Sequence, residues 1–295
     1  MKDTLQRFLF ENLAVRGELV HLDATWQAIR EQHDYPLAVQ TVLGELMVSV
    51  SLLIATLKFK GKMIAQIQGD GPVSLMVVEG SSEKTLRATA TLKNPSSNIT
   101  QTSLKELFGE ARFIITIEPD EGERYQGIVA LSGESIADAL TDYLLRSEQL
   151  DSGIWLAADE HQCAGLLVQK LPETEKTQSN PDVDGWNRIQ QLSSTIKNDE
   201  LLNLSSEEVI HRLYHEEDIR LFDAETISFR CTCSHGRVAK MLLSLGAEEV
   251  QSMIKELTSI EVDCEYCGHS YHFDAVDTAQ IFSTKLSHTA PNSNQ

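Results

Sequence analysis

Four cysteines constrain this chain more than any other feature: Cys231-Thr232-Cys233 and Cys264-Glu265-Tyr266-Cys267, two close pairs with thirty residues between them. Thiolates in two such pairs suit a tetrahedral metal site, each pair supplying two corners while the intervening chain folds back to join them. That intervening chain is written for the task. Val238, Met241, Leu242 and Leu245 make one helical stripe ended by Gly246, and Val250, Met253, Ile254 and Leu257 make a second. Ile260 and Val262, then Tyr271 and Phe273, alternate like two strands of a hairpin, and Gly268 after the last cysteine permits the turn.

All-sulfur ligation selects zinc or an iron–sulfur centre, and a lone zinc is the commoner occupant of a small helix-and-hairpin module. The expectation is one zinc per chain held by Cys231, Cys233, Cys264 and Cys267; paired spacing argues against four unrelated buried thiols. His235, His269 and His272 lie near enough in sequence to replace a sulfur, but with four thiols available they read as solvated surface groups. Cys163 has no cysteine neighbour and reads as a buried apolar side chain. A Cys-x-Cys pair is unusual for a purely structural site. If an oxidant reached the thiolates, each pair could close on itself, and a ring as short as Cys231 to Cys233 would be strained and readily reduced, which suits a reversible switch. Arg230, His235, Arg237 and Lys240 would help keep sulfur ionised; they read equally well as helix-surface charges.

The remainder sets the context for this module. A length of 295 residues fits two domains, and 41% hydrophobic with 23% charged residues is the composition of a folded chain. The net charge of −19 repels a phosphate backbone and excludes nucleic acid as a first guess. That charge is uneven: residues 1–172 carry net −8, whereas the 53 residues 173–225 alone also carry −8. A boundary is therefore expected near Pro172. Before it, strands are expected at Met63 to Gln68, Val73 to Val78, Phe113 to Glu118, Gln126 to Leu131 and Ile154 to Ala158, with a tight turn at Gly69-Asp70-Gly71-Pro72. Helices are expected at Leu37 to Leu57 and, after an N-cap at Ser135, Ile136 to Glu148.

After the boundary, Glu173 to Gly185 reads as an exposed connection. Trp186, Ile189, Leu192 and Ile196 fall at helical spacing, and Ser205 with Glu208 makes a capping box before Val209, Ile210, Leu213 and Tyr214. Helices this short are marginal alone and need a surface to lie on. The fold class expected is α+β: a mixed domain over 1–172, an acidic helical linker over 173–225, a four-cysteine module over 226–286, and a disordered tail over 287–295. The longest apolar stretch, Leu46 to Leu57, carries two Ser and a Thr and is too short to span a bilayer, and no secretory signal opens the chain, so a cytoplasmic protein with no membrane partner is expected.

Three other functions weigh less. No phosphate-binding loop exists for an ATP-driven machine. A thiol–disulfide oxidoreductase would use Cys264 and Cys267, but such a pair belongs at a helix start rather than on a knuckle. A nucleic-acid-binding zinc module is disfavoured by the net −3 of residues 226–295.

With these residues in view, the chain resembles the redox-regulated chaperones of the heat-shock protein 33 family. The resemblance runs over nearly the whole chain and rests on Phe229-Arg230-Cys231-Thr232-Cys233-Ser234, Leu245-Gly246-Ala247-Glu248-Glu249, Cys264-Glu265-Tyr266-Cys267 and Tyr271-His272-Phe273. In the first domain it rests on Gly127 to Glu134, Ser147-Glu148-Gln149 and Gly165 to Pro172. At Leu150-Asp151-Ser152 it departs from the family pattern, which often has a Pro and a Thr there. The resemblance implies a holdase, not an enzyme, that needs no ATP and is inactive while reduced and zinc-bound. It implies that oxidation pairs Cys231 with Cys233 and Cys264 with Cys267, releases zinc, unfolds the linker and exposes apolar surface to unfolded client proteins. It also implies a homodimer in the oxidised form.

Overall fold

The structure is a computed structural model that describes residues 3–94, 99–100, 103–131, 133–172 and 182–287. The chain divides into two compact units, residues 1–230 and 231–295. The expected tail from 288 onward, and most of the expected connection at 173–185, lie outside the described residues.

Two sheets build the first unit. One holds β1 (Thr4–Phe10), β2 (Val15–Leu22), β9 (Cys163–Lys170) and β8 (Ser152–Ala158) in antiparallel order, and β10 (Ile219–Leu221) and β11 (Glu225–Thr226) both pair with the free edge of β1. The other runs β12 (Ser228–Phe229), β5 (Thr85–Leu92), β4 (Val73–Ser81), β3 (Gly61–Gly69), β6 (Ala111–Pro119), β7 (Tyr125–Val129). It is antiparallel apart from the β12–β5 pair. The expected strands are all present within a few residues of their expected ends. The Gly69-to-Pro72 turn joins β3 to β4, and its glycines are sterically required: a Cβ on Gly69 would stand 2.0 Å from the Phe108 carbonyl oxygen and one on Gly71 would stand 2.5 Å from that of Leu107. That close approach is made by α3 (Leu104–Phe108).

Between the sheets lies α2 (Leu37–Thr56), which packs on β2, β8 and β9 of one and on β3, β4 and β5 of the other. The apolar stretch Leu46 to Leu57 is only the second half of this expected helix, which is 20 residues long and ends at Thr56, with a mean hydropathy of 1.9 over an 18-residue window, long and apolar enough to cross a membrane. Packing assigns it to the core instead, because 78% of that window is buried inside the protein. A helix enclosed on all sides has no reason to be amphipathic. Helix α1 (Ala24–Arg30) packs on β5 and β12, and α4 (Ile136–Ser147) packs on β7, β8 and α2. Helix α4 starts at the predicted Ser135, in a capping box with Asp138.

The acidic segment is part of this unit. Its helices α5 (Gly185–Ser193), α6 (Asn198–Asn203) and α7 (Ser206–Tyr214) cover the outer face of the first sheet. There Ile189, Leu201, Val209, Leu213 and Tyr214 bury against Phe8, Phe10, Leu19, Leu166 and Val168 to form a second core. The ring of Tyr214 lies 5.1 Å from Phe10 and 5.9 Å from Phe8, and its hydroxyl meets Ser193 Oγ at 2.6 Å. Ser205 and Glu208 cap α7 as expected. Buried His21 on β2 ties the layer down: its Nε2 donates to the Leu201 carbonyl at 2.9 Å, and Ser206 Oγ lies 3.3 Å from Nδ1. Burial lowers the pKa of His21 and keeps the ring neutral. The first unit thus extends to Arg230, past the sequence-derived boundaries at 172 and 225, because the linker helices bury their apolar stripes on its sheet.

On the opposite face of β2, Glu18 is 2% exposed, its Oε2 has no hydrogen-bond partner, and Arg16 Nε stands 3.8 Å from its Oε1. Burial outweighs the nearby arginines and raises its pKa to about 7. A carboxyl whose folded pKa lies above its unfolded value stabilises the fold most in acid, and that contribution is lost as pH rises from about 4.5 through 7. Glu18→Gln should therefore match the parent near pH 5 and exceed its stability by about 2–3 kcal/mol at pH 8. Urea unfolding followed by tryptophan fluorescence tests this, since Trp26, Trp155 and Trp186 all lie in the first unit; equal stability at pH 8 would refute it.

Candidate metal centre

The second unit is small. It comprises α8 (His235–Leu245), α9 (Ala247–Leu257), the hairpin β13 (Ile260–Asp263) and β14 (Ser270–Phe273), and α10 (Ala275–Ser287), a helix the sequence reading did not foresee. Its core consists of Leu242, Val250, Ile260, Tyr271 and Phe273, with Cys233 and Cys264 packed at its margin. So few buried side chains rarely hold a domain without a metal or cross-link. The two expected helical stripes are present. Gly246 separates them with φ +98°, a conformation that favours glycine.

Local structure brings each cysteine pair to the site. Cys231-x-Cys233 runs straight into α8, whose N-cap Ser234 accepts from the Arg237 backbone N–H. The other pair sits in the loop of the hairpin, whose register sets Ile260 against Phe273 and Val262 against Tyr271. Within that loop the N–H groups of Cys267 and Gly268 donate to the Cys264 carbonyl at 3.2 and 2.8 Å, and Gly268 takes φ +64°. The backbone N–H groups of Tyr266 and Cys267 point at the Cys264 sulfur, and that of His269 at the Cys267 sulfur.

The result is a four-sulfur cluster. Cys231 Sγ lies 3.6 Å from Cys264 Sγ, Cys233 Sγ lies 3.4 Å from Cys267 Sγ, and all four sulfurs fall within 4.8 Å of one another. A tetrahedral zinc site with Zn–S bonds of about 2.3 Å has S–S edges of about 3.8 Å, so four thiolates at these positions fit such an ion with small adjustments. The backbone amides that face two of the sulfurs would also offset thiolate charge in the way ligating groups are commonly supported from outside the donor set.

The thiols are not equivalent. Burial raises the Cys264 and Cys267 pKa values, whereas at Cys233 hydrogen bonds from Tyr271 and the neighbouring thiols overcome burial and lower the pKa to about 7. The Tyr271 hydroxyl donates to Cys233 Sγ at 3.0 Å, and its own pKa rises to about 12. Sequence pattern places Tyr271 in the alternation of the hairpin and carries no sign of this role. Of the nearby cations, Arg230 pairs with Glu83 at 3.2 Å and Arg237 donates to Thr232 Oγ1, between Cys231 and Cys233, at 2.6 Å.

None of the three histidines joins the donor set. They are exposed, as expected, yet two rest on aromatic rings, His235 stacked 4.3 Å from Phe273 and His269 edge-on 4.6 Å from Tyr271. His272 faces Glu261 across the hairpin at 3.6 Å. Cys163 is remote from the cluster in sequence and fully buried on β9 of the first unit, where burial drives its thiol pKa well up. Cys264 and Cys267 occupy a hairpin loop, not the helix start that lowers a thiol pKa in a redox-enzyme pair.

A mixed α+β unit followed by a small helix-and-hairpin unit built on four clustered thiols defines the class: a two-unit protein with a C-terminal cysteine module fit for a metal. The chain belongs to the Hsp33 family, since the family described as Hsp33 protein matches residues 3–274. A 33 kDa chaperonin of Shewanella baltica is 47% identical over 282 residues, covering 96% of each chain. One of Nitrosococcus oceani is 44% identical over 285 residues, covering 97% of this chain and 96% of its own. The crystal structure of the 33 kDa chaperonin, a heat shock protein 33 homolog, of Thermotoga maritima superposes with a TM-score of 0.80 at 21% identity, covering 97% of this chain and 99% of that one. The relatives' name marks chaperones rather than enzymes.

Because Cys163 is sealed in the core, its removal should leave the cluster alone. Cys163→Ala is expected to keep full metal content and the full count of peroxide-sensitive thiols, read by metal analysis and thiol titration; loss of either would show that the fifth cysteine takes part.

Proposed function

We propose that this chain is a redox-regulated, ATP-independent holdase, inactive while reduced and zinc-bound, and switched on by oxidation of Cys231, Cys233, Cys264 and Cys267 to hold unfolding client proteins in the cytoplasm. The observation that carries the reading is the four-sulfur cluster at tetrahedral spacing, set in a unit whose own core is small, within a chaperone family. Zinc is the ion this donor set suits best, one per chain. When bound, it supplies the cross-link that such a small unit lacks, and structural zinc in small modules contributes about 10–16 kcal/mol of apparent binding free energy.

The chain's residues would act as follows. A peroxide accepts two electrons from each cysteine pair: an S–S bond forms, the O–O bond breaks, and the oxygens leave as water or hydroxide with the protons available. Two peroxides thus yield Cys231–Cys233 and Cys264–Cys267. Cys233, whose thiol pKa is lowered to about 7, is a natural first nucleophile in any chain that has lost its metal. Disulfide formation removes all four anionic donors, and a unit with so little core then unfolds. Helices α5 to α7 depend on packing rather than propensity, and once they leave the first sheet the apolar face of Phe8, Phe10 and Leu166 becomes a surface for clients. The oxidised form is proposed to dimerise; nucleic acid and membrane are not partners.

The direct test treats the reduced, zinc-loaded protein with peroxide and mild heat, and follows zinc release and suppression of client aggregation together. One equivalent of zinc should be released as holdase activity appears, and a dithiol with zinc should reverse both. Iron in place of zinc, or activity with zinc still bound after oxidation, would overturn the reading. Leu213, 5% exposed beneath α7, allows the same transition to be forced without oxidation. Leu213→Glu places a charge in the second core, at a cost of several kcal/mol, and should give partial holdase activity with zinc bound and thiols reduced. A variant with mobile helices and no activity would separate linker release from the switch.

A further inference from the structure

Residues 219–230 form a strap that laces both sheets of the first unit. Its first part follows β1 antiparallel, with Ile219 opposite Phe10, Leu221 opposite Phe8, Glu225 opposite Leu5 and Thr226 opposite Thr4. It then crosses to the other sheet, where Ser228 and Phe229 lie parallel to Thr85 and Leu86. Main-chain bonds run its whole length: the N–H groups of Phe222 and Ile227 donate to the carbonyls of Arg7 and Asp3 at 3.0 and 3.1 Å, and those of Ser228 and Arg230 to Lys84 and Leu86 at 3.0 Å each. Among the described residues nothing else pairs with the outer edges of β1 and β5.

Its side chains alternate as a strand's do. Thr226 and Ser228 are exposed, Ile227 is 2% exposed, and Phe229 packs against the main core. Ile227 belongs to the main core and, with Leu5, Ile54 and Leu86, walls a small apolar socket between the two edges. The strap's own strands are only three, two and two residues long, against seven for β1 and eight for β5. It ends at Arg230, the residue before the first thiol of the metal centre. Losing it would bare two long edges with unpaired N–H and C=O groups beside an apolar socket, the combination that invites another strand.

We propose that the strap is an internal stand-in for client polypeptide: when it lets go, an extended client segment with apolar side chains two residues apart adds to the edges of β1 and β5 by main-chain hydrogen bonding, with one side chain in the Ile227 socket. This deepens the holdase reading and rests on it for when the strap is released. It assigns clients a backbone-directed binding mode alongside the apolar face, and so explains tolerance of many sequences, because main-chain groups are common to all of them.

The test uses the oxidised full-length protein and a fluorescent peptide of residues 223–230, Asp-Ala-Glu-Thr-Ile-Ser-Phe-Arg. The peptide should bind saturably and slow hydrogen exchange in β1 and β5. Methylating the peptide's amide nitrogens at Ser228 and Arg230 leaves every side chain in place but removes two edge bonds, and should weaken binding about tenfold or more, as should Ile227→Asp in the peptide. Ile227→Asp in the reduced, zinc-loaded chain should admit the parent peptide without oxidation, with β3 and β6 still protected to show that the fold survives. Equal binding of the methylated peptide, no binding up to about 1 mM, or edges filled by the strap of a second copy in a peptide-insensitive dimer would overturn the proposal. Aggregation suppression measured in parallel keeps the two readings apart: an oxidised protein that protects clients yet ignores the peptide refutes the edges alone, and one that binds the peptide yet protects nothing refutes the holdase.

Discussion

The first sheet is apolar on both faces, and the organisation of the first unit follows from the need to cover both. Its inner face is met by α2, which the second sheet encloses from the other side, giving the larger of the two cores. Its outer face is met by three short helices from a segment whose net charge is −8. Those helices hold position through Ile189, Leu201, Val209, Leu213 and Tyr214, while their acidic residues face water and repel one another. The two covers therefore differ in kind. Removing α2 would abolish the fold, whereas removing the outer helices would leave two packed sheets and a bare apolar surface.

The second unit meets the opposite difficulty, too little apolar surface to cover. Its five buried core side chains are joined by four sulfurs, so a large part of what holds it must come through the thiols. On the proposed zinc-bound reading, chemistry at sulfur would govern folding of the whole unit, a more abrupt coupling than any surface ion pair supplies. Tyr271 shows how closely core and site are joined: the ring belongs to the core and the hydroxyl donates to Cys233.

What could be read in the sequence follows from these differences. Helices α5, α7, α8 and α9 were legible because each has a one-sided apolar stripe, reinforced at α7 by the capping box of Ser205 with Glu208, whereas the six-residue α6 is too short to show a period. The hairpin was legible from Ile260, Val262, Tyr271 and Phe273 alternating around a glycine. Strands β2 and β9 were not, since burial on both faces replaces alternation by runs such as Leu166-Leu167-Val168, in which period 2 vanishes. The strap escaped notice because pieces of two and three residues carry no period at all. The four sulfurs were visible as a set from spacing alone, but the hydrogen bond from Tyr271 depends on hairpin register.

Ile227 sits at its socket only four residues before Cys231. A chain of four residues reaches about 14 Å when fully extended. Any movement that takes Cys231 farther than that from the Ile227 socket must draw Ile227 out. On the proposed release, Ile227 would act as a latch whose travel is set by covalent length, needing no dedicated interface and no particular path of unfolding.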